Sequence, residues 1–252
     1  MRKALFIIAL ASVLMVGLIA TPIGPKALSA FRVHNAMQTL ERSLRDPYKL
    51  PAGMHFLERY LALEKRAVHL EAQELFRRAR TEQLYRAALD YDNRLALLGK
   101  DADGQDAAEL RARLWQKVND VDTDNRRWLK TVLKDIGWFR ITVYGRAASN
   151  TAWLLVQHAD QDPSWQKQIL RDIKPMVAQR EVSGIDVAYL EDRIAAGEAK
   201  PQIYGTQGFC VDGGWSPLPI SHPEQVDQRR KAIGLEPMAE YQKRFRRMCL
   251  ES

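Results

Sequence analysis

The residues best suited to chemistry form a short run, Gln157-His158-Ala159-Asp160-Gln161-Asp162. An imidazole beside carboxylates can act as a general base or as a metal ligand. We therefore take His158 as a candidate general base and Asp160 as the residue that orients it. The structural alternative is that Asp162 caps one helix while His158 satisfies carbonyls at the end of the preceding helix.

Further polar groups follow this run. Asp192 and Arg193 are neighbours in sequence, so on a helix their side chains point about 100° apart and one of them can face inward. The alternative is that the side chains of Asp192 and Arg193 are both charged groups on the protein surface. An arginine near residue 229 can bind a substrate carboxylate through two hydrogen bonds, or an internal partner such as Asp192. The candidate ligand-binding residues are Asp192, Arg193, Tyr204, Thr206, Gln207, Asp227 and Arg229.

A loop with two glycines, Tyr204-Gly205-Thr206-Gln207-Gly208, contributes three of these candidates. Such a loop can present backbone N–H groups and an amide side chain to a ligand. A structural clamp is an equal alternative, because buried amides need partners of their own.

Cofactor and metal signatures are missing from the sequence. It contains no phosphate loop, HExxH, GxSxG, CxxC or dinucleotide fingerprint. A zinc site around His158 would need mostly carboxylate ligands, which is uncommon. Asp101–Asp106 resembles a calcium loop only superficially, because its glycine stands at the fourth position instead of the sixth. We expect no cofactor and no metal.

The N-terminus has the order of a secretory signal. Arg2 and Lys3 precede an uncharged apolar run over residues 4–20, and Ala27 and Ser29 provide small residues before a cut at Ala30. The alternative is an uncleaved membrane anchor, because 17 residues are close to the shortest span of a bilayer, roughly 17–25 residues. Either alternative places the rest of the chain in the periplasm or on the outer face of the inner membrane.

Charge and cysteine content agree with export. The net charge is +7, and three positive charges precede the predicted cut. A basic cluster, Lys243-Arg244 with Arg246-Arg247, can form a patch for an anionic lipid or polymer. We favour the alternative, a solvated last helix with cations near its C-terminus. We expect no nucleic-acid partner, and membrane contact only through an uncleaved N-terminal segment. Cys210 and Cys249 are the two cysteines, and an oxidising compartment favours a disulfide between them over two free thiols.

Periodicity predicts a mostly α fold, and the composition is that of a globular protein. We divide the chain into a leader over 1–29, a helical region over 30–120, and a compact, mainly helical domain over 121–252. A helix face runs through Leu84, Tyr91 and Leu98, and a new helix is expected at Asp122 or Thr123. Residues 138–145 are predicted to be extended. The Gly/Pro-rich segment after Lys200 predicts an irregular loop or a short hairpin.

Residues 122–245 resemble a bacterial family of unknown function. The matching blocks are Gln157-His158-Ala159-Asp160, Tyr189-Leu190 with Asp192-Arg193, Tyr204-Gly205-Thr206-Gln207, Val226-Asp227 with Arg229-Arg230, and Gly234-Leu235. Trp138-Phe139 departs from the Trp-Pro of that family. The resemblance implies no reaction. It implies that His158, Asp160, Asp192, Arg193, the loop over 204–207, Asp227 and Arg229 belong together.

Three functions are compatible with these features. The first is an exported envelope protein that binds an unknown ligand or envelope partner through a polar pocket in its C-terminal domain. The second is a metal-independent envelope hydrolase or transferase with His158 as its base. In the third, the polar blocks are purely structural networks. We rank binding first, and we leave the question of an enzyme open.

Overall fold

A computed structural model describes residues 25–46, 49–51 and 53–250. The predicted signal or anchor run lies outside the described residues. The first described helix begins at Pro25, so the predicted cut before Ala30 falls inside it. Within the described residues, no helix combines the length and the apolarity needed to cross a membrane.

The described part of the chain is mostly helical, as predicted, with one two-stranded sheet. The elements are α1 (Pro25–Arg45), α2 (Glu58–Arg66), α3 (Leu70–Ala87), α4 (Tyr91–Leu98), α5 (Gly104–Ile136), α6 (Ile141–Gln157), α7 (Pro163–Ile173), α8 (Gly184–Gly197), β1 (Gly208–Val211), β2 (Gly214–Pro217), α9 (Val226–Ala232) and α10 (Met238–Leu250). Short 3₁₀ turns occupy His55–Leu57, Lys174–Val177 and Pro223–Gln225.

Helix α5 is a single helix of 33 residues. Asp103 and Asp106 form a reciprocal capping box at its start, and Gly137 ends it. The expected new helix at Asp122 or Thr123 is therefore wrong. The buried stripe of α5 continues past this point through Val118, Asn125 and Leu129, and the carboxylate of Asp122 binds Arg86 of α3 instead of capping a helix. The predicted boundary between residues 120 and 121 falls inside α5.

Two other expectations about local structure are wrong. The helix face expected from Leu84 to Leu98 is interrupted, because Asp90 caps a new helix by accepting a hydrogen bond from the Asn93 N–H. The stretch expected to be extended, 138–145, instead starts α6 at Ile141, with a kink at Gly145 where φ is 82°.

A main hydrophobic core runs through both halves of the chain, from Val33 on α1 to Ile194 on α8. Helix α3 lies at its centre and packs against α2, α5 and α6. Because one core spans residues from both predicted regions, side chains on α3 can meet side chains on α6 directly.

A second, smaller core fixes the C-terminal segment. It consists of Trp215, Tyr241 and Cys249, with Phe245 packed against it. The predicted disulfide between Cys210 and Cys249 is present and joins β1 to α10.

The hairpin predicted for the Gly/Pro-rich segment pairs β1 with β2 in antiparallel register, with Phe209 opposite Ser216. A Cβ at Gly208 would lie 2.3 Å from the Ser216 carbonyl oxygen and 2.4 Å from the Trp215 ring, so only glycine fits there.

Candidate functional site

Asp192 is the anchor of the loop over residues 202–207, not an open ligand site. Its side chain is fully buried on α8. Its carboxylate accepts hydrogen bonds from three backbone N–H groups, those of Ile203 (2.8 Å), Tyr204 (3.0 Å) and Thr206 (2.9 Å). Because three backbone N–H groups already donate to its carboxylate, Asp192 binds the loop of the protein itself instead of a ligand.

The amide side chains of the same loop are also paired internally. Gln202 is fully buried, accepts from the Gln207 N–H at 2.7 Å, and donates to the carbonyls of Gln207 and Leu218. The Gln207 side chain donates to the Thr206 hydroxyl at 3.1 Å. This arrangement corresponds to the clamp alternative and leaves Thr206 and Gln207 turned toward each other.

The arginines of α9 bind backbone carbonyls, and Arg229 does not pair with Asp192. Arg229 donates to the carbonyls of Ile203 (2.8 Å) and Ser221 (2.6 Å). Asp227 accepts from the Met238 N–H at 2.7 Å. These bonds hold the loop, α9 and α10 together.

Arg230 and Tyr241 complete this network. The sequence analysis named Arg230 only within a matching block beside Arg229, and it did not consider Tyr241. Arg230 is fully buried, donates to the Tyr204 and Glu236 carbonyls, and lies 4.6 Å from the centre of the Tyr241 ring. The Tyr241 hydroxyl donates to the Thr206 carbonyl at 3.0 Å. Burial, together with the Tyr189 hydrogen bond, raises the pKa of Tyr241 and keeps the phenol protonated.

His158 meets a carboxylate that the sequence analysis did not consider. Its Nδ1 lies 2.6 Å from Oε1 of Glu82 on α3. Burial raises the pKa of Glu82, but the close contact with His158, the charge of Arg86 and the hydrogen bond from Gln83 outweigh burial and hold that pKa below its ordinary value. Glu82, not Asp160, is therefore the carboxylate that lies against Nδ1 of the imidazole.

Asp122 extends this charged group toward α5. It accepts a hydrogen bond from Arg86 at 2.7 Å, and Arg86 also binds Glu82. Burial raises the pKa of Asp122 to about 6, despite the neighbouring Arg86. Glu82 was recognisable in principle, since it shares the buried stripe of α3 with Leu75 and Ala79. An acid on an apolar stripe needs a partner.

Asp160 pairs with Arg193. The guanidinium donates to both carboxylate oxygens, at 2.9 and 2.5 Å, and Gln166 donates to Asp160 as well. Burial raises the pKa of Asp160, but Arg193 reverses the shift and lowers it below its ordinary value. Asp162 caps α7 through the Trp165 N–H, as its spacing indicated.

The contact between Asp160 and Arg193 closes one end of a polar seam between α6 and α8. At the other end, Asn150 donates to Asp186 at 3.1 Å. Between them, the rings of Trp153 and Tyr189 meet edge to face at 6.1 Å. We call these six residues, with Gln157, the α6–α8 seam.

Four buried polar atoms on the α6–α8 seam have no hydrogen-bond partner among the described residues. They are Oδ1 of Asn150, Nε1 of Trp153, Oε1 of Gln157 and Oδ2 of Asp186. Burial raises the pKa of Asp186 to about 7, an effect that Arg146 only partly offsets. Buried atoms of this kind are normally paired with protein, water or ligand.

The predicted site residues thus form three separate groups. Asp192, Tyr204, Thr206, Gln207, Asp227 and Arg229 belong to the loop network, His158 belongs to the charged group on α3 and α5, and Asp160 and Arg193 belong to the α6–α8 seam. No cluster of three or more metal-binding side chains lies among the described residues.

These features define a helical protein with a polar seam and a disulfide-linked C-terminal segment. The chain matches the family of unknown function DUF6624 over residues 101–248, and it belongs to that family. The match begins just before α5, so α3 and its Glu82 lie outside it. No curated protein and no solved structure matches the chain.

Proposed function

We propose that this protein is an exported envelope protein that binds a small polar ligand at the α6–α8 seam. The observation that carries the proposal is the set of four unpartnered buried atoms on Asn150, Trp153, Gln157 and Asp186. Leaving one such atom without a partner costs about 1–3 kcal/mol, so four of them on one seam favour a bound group that satisfies them.

The chemistry of the seam indicates what such a ligand offers. Two of the four atoms are amide oxygens that accept hydrogen bonds, and one is the indole N–H of Trp153. The fourth, Oδ2 of Asp186, accepts when the carboxyl is ionised and donates when it is protonated. A ligand with several hydroxyl or amine donors and at least one acceptor complements this set. Asp160 and Arg193 occupy each other at the end of the seam, so a net charge on the ligand is not required.

The disulfide supports the exported location in this proposal, since such bonds persist in oxidising compartments. The expected signal or anchor supports it from the sequence side. The ligand and any envelope partner are unidentified.

The test is calorimetric titration of the protein with neutral sugars, polyols and small alkylamines, compared with the variant Gln157→Leu. We expect at least one probe to bind and its affinity to fall about 10-fold in the variant. The variant itself should be as stable as the parent or more stable, because it removes an unpartnered oxygen. The control is Gln179→Leu, an exposed glutamine outside the seam. Binding by none of the probes, or equal binding by Gln157→Leu, contradicts the proposal.

A second candidate is a metal-independent hydrolase with His158 as base, and one contact favours it. The carboxylate of Glu82 lies against Nδ1 of His158, as in a carboxylate–histidine pair. The other ring nitrogen, Nε2, is then the one that can accept a proton from a substrate. It ranks lower, because Asp192, Gln207 and Arg229, expected around His158, are bound elsewhere. Hydrolysis of model ester and amide substrates that vanishes in His158→Gln but survives in His55→Gln would favour it over binding.

A further inference from the structure

The groove between α3 and α5 holds a pocket of about 330 Å³ that the proposed function does not use. This is near the lower end of the range for small-molecule sites, about 300–1,000 Å³. Its charged lining consists of three acids (Glu74, Asp120 and Asp124) and three bases (Arg77, Arg78 and Lys117).

Asn125 provides a free donor at the base of this pocket. The residue is only 2% exposed. Its Oδ1 accepts from Arg78 at 3.2 Å, which assigns the oxygen and leaves Nδ2 as the other end of the amide. Nδ2 is buried and has no partner among the described residues. A ligand oxygen at this point would satisfy it.

The charges of the pocket separate into paired and unpaired groups. Arg77 binds Glu74, and Arg78 binds both Glu74 and Asp124. Lys117 and Asp120 have no ion-pair partner within the described ranges, although they stand one helical turn apart on α5. The pocket therefore presents one uncompensated cation and one uncompensated anion.

The solvent exposure of the lining side chains shows which of them lie at the mouth of the pocket and which lies at its base. Asp120 is exposed and Lys117 is half-buried, so they lie at the mouth, whereas Asn125 lies at the base. The helix rise of about 1.5 Å per residue sets Asn125 about 7.5 Å beyond Asp120 along α5. A ligand that uses all three needs opposite charges at one end and a hydrogen-bond acceptor further along.

We propose that this pocket binds a zwitterionic amino acid with a long polar side chain, or a dipeptide. The ligand carboxylate contacts Lys117, its ammonium group contacts Asp120, and an oxygen further along accepts from Nδ2 of Asn125. A phosphate or another dianion is disfavoured, because Lys117 is the one basic side chain of the lining without an ion-pair partner among the described residues, and Asp120 stands one helical turn from it. A neutral sugar would leave both mouth charges unpaired. The proposal is independent of the α6–α8 seam, since none of its residues lies there.

The first experiment is calorimetric titration of the whole protein with L-glutamine and with alanyl-alanine. We expect at least one of them to bind. The N-acetyl and the C-amide forms of that ligand should each bind about 10-fold more weakly, because each loses one charge-assisted contact. Norleucine, which lacks the distal acceptor, should bind more weakly than glutamine. Absence of binding by both parent probes, or equal binding of the capped forms, overturns the proposal.

The second experiment assigns the contacts by pairing variants with probes. Lys117→Gln should weaken binding of the parent ligand about 10-fold but leave the C-amide unaffected. Asp120→Asn should do the same for the parent ligand but not for the N-acetyl form. The matched controls Arg111→Gln and Asp135→Asn are exposed positions on α5 outside the pocket and should change nothing. Equal losses in the controls and the pocket variants, or the same loss for every probe, overturn the assignment.

Discussion

Nδ1 of His158 lies 2.6 Å from Oε1 of Glu82 and ties the C-terminal end of α6 to the middle of α3. Glu82 is 1% exposed and also binds Arg86, which reaches Asp122 on α5. Three helices are thus joined by one buried charged group. Residues inside the family match and residues before it meet in this group.

The contact between His158 and Glu82 should carry measurable coupling energy. In a double-mutant cycle with Glu82→Gln and His158→Gln at pH 6, we expect a coupling of about 1–3 kcal/mol, since the carboxylate is buried. Urea unfolding of the four proteins measures it. The matched control is the pair His55 and Glu58, 3.2 Å apart with exposed side chains. Its coupling should stay below about 0.5 kcal/mol. Equal coupling energies in the two pairs would contradict the prediction that burial strengthens the contact between His158 and Glu82.

Asp186 should make the protein less stable as the pH rises. Its pKa in the folded protein is about 7, against an ordinary value of 3.8. Well below pH 3.8 the carboxyl is protonated in both the folded and the unfolded state, so it has no effect on stability. Between pH 4 and pH 7 only the unfolded state ionises freely, so the free energy of unfolding falls, by up to about 4 kcal/mol.

The variant Asp186→Asn tests this pH dependence. Its free energy of unfolding should lie within about 0.6 kcal/mol of the parent protein at pH 4 and clearly exceed it at pH 8, as measured by urea unfolding at both values. Asp135→Asn, an exposed change on α5, should not alter the difference between the two pH values. A gain or loss of the same size at pH 4 and pH 8 would contradict the raised pKa.

Asp192→Asn should destabilise the loop over residues 202–207. The carboxylate accepts from three backbone N–H groups, whereas the asparagine amide has only one acceptor oxygen. The NH₂ group of the asparagine would also lie against backbone N–H donors with which it cannot bond. We expect a loss of about 2–3 kcal/mol in the free energy of unfolding. Hydrogen exchange should accelerate at the amides of Ile203, Tyr204 and Thr206. The exposed Asp212→Asn, at a turn position with φ of 49°, serves as control and should be neutral. Unchanged exchange at all three amides would refute the anchoring role.

Reduction of the disulfide between Cys210 and Cys249 should lower stability by about 3–4 kcal/mol on the chain-entropy estimate. Thermal or urea unfolding with and without dithiothreitol measures this loss. The double variant Cys210→Ser with Cys249→Ser should unfold like the reduced protein and should not respond to dithiothreitol. Increased hydrogen exchange is expected in β1, β2 and α10, while α3 and α5 remain protected. An unchanged unfolding midpoint after complete reduction would contradict the prediction.

Features that depend on nearby residues were predictable from the sequence. Helical periodicity indicated the mostly α fold, and the Asp162-Pro163 pair marked the start of α7, where Asp162 caps the Trp165 N–H. The two cysteines indicated the disulfide, and the ordered polar blocks indicated the family. The prediction that a new helix starts at Asp122 was wrong, because a side chain that can cap a helix can equally bind a residue on a neighbouring helix.

The partners of the site residues came only from the tertiary structure. The sequence places His158 and Asp160 two positions apart, yet the first binds Glu82 and the second binds Arg193. Both residues lie in the turn between α6 and α7, and that turn directs their side chains to different helices, so their partners depend on which helices pack there. The sequence by itself determined the elements, their caps and the residue types able to do chemistry. Packing of α3, α6 and α8 decided which charges meet, because a buried charge must find its partner across the core, and sequence separation does not limit that choice.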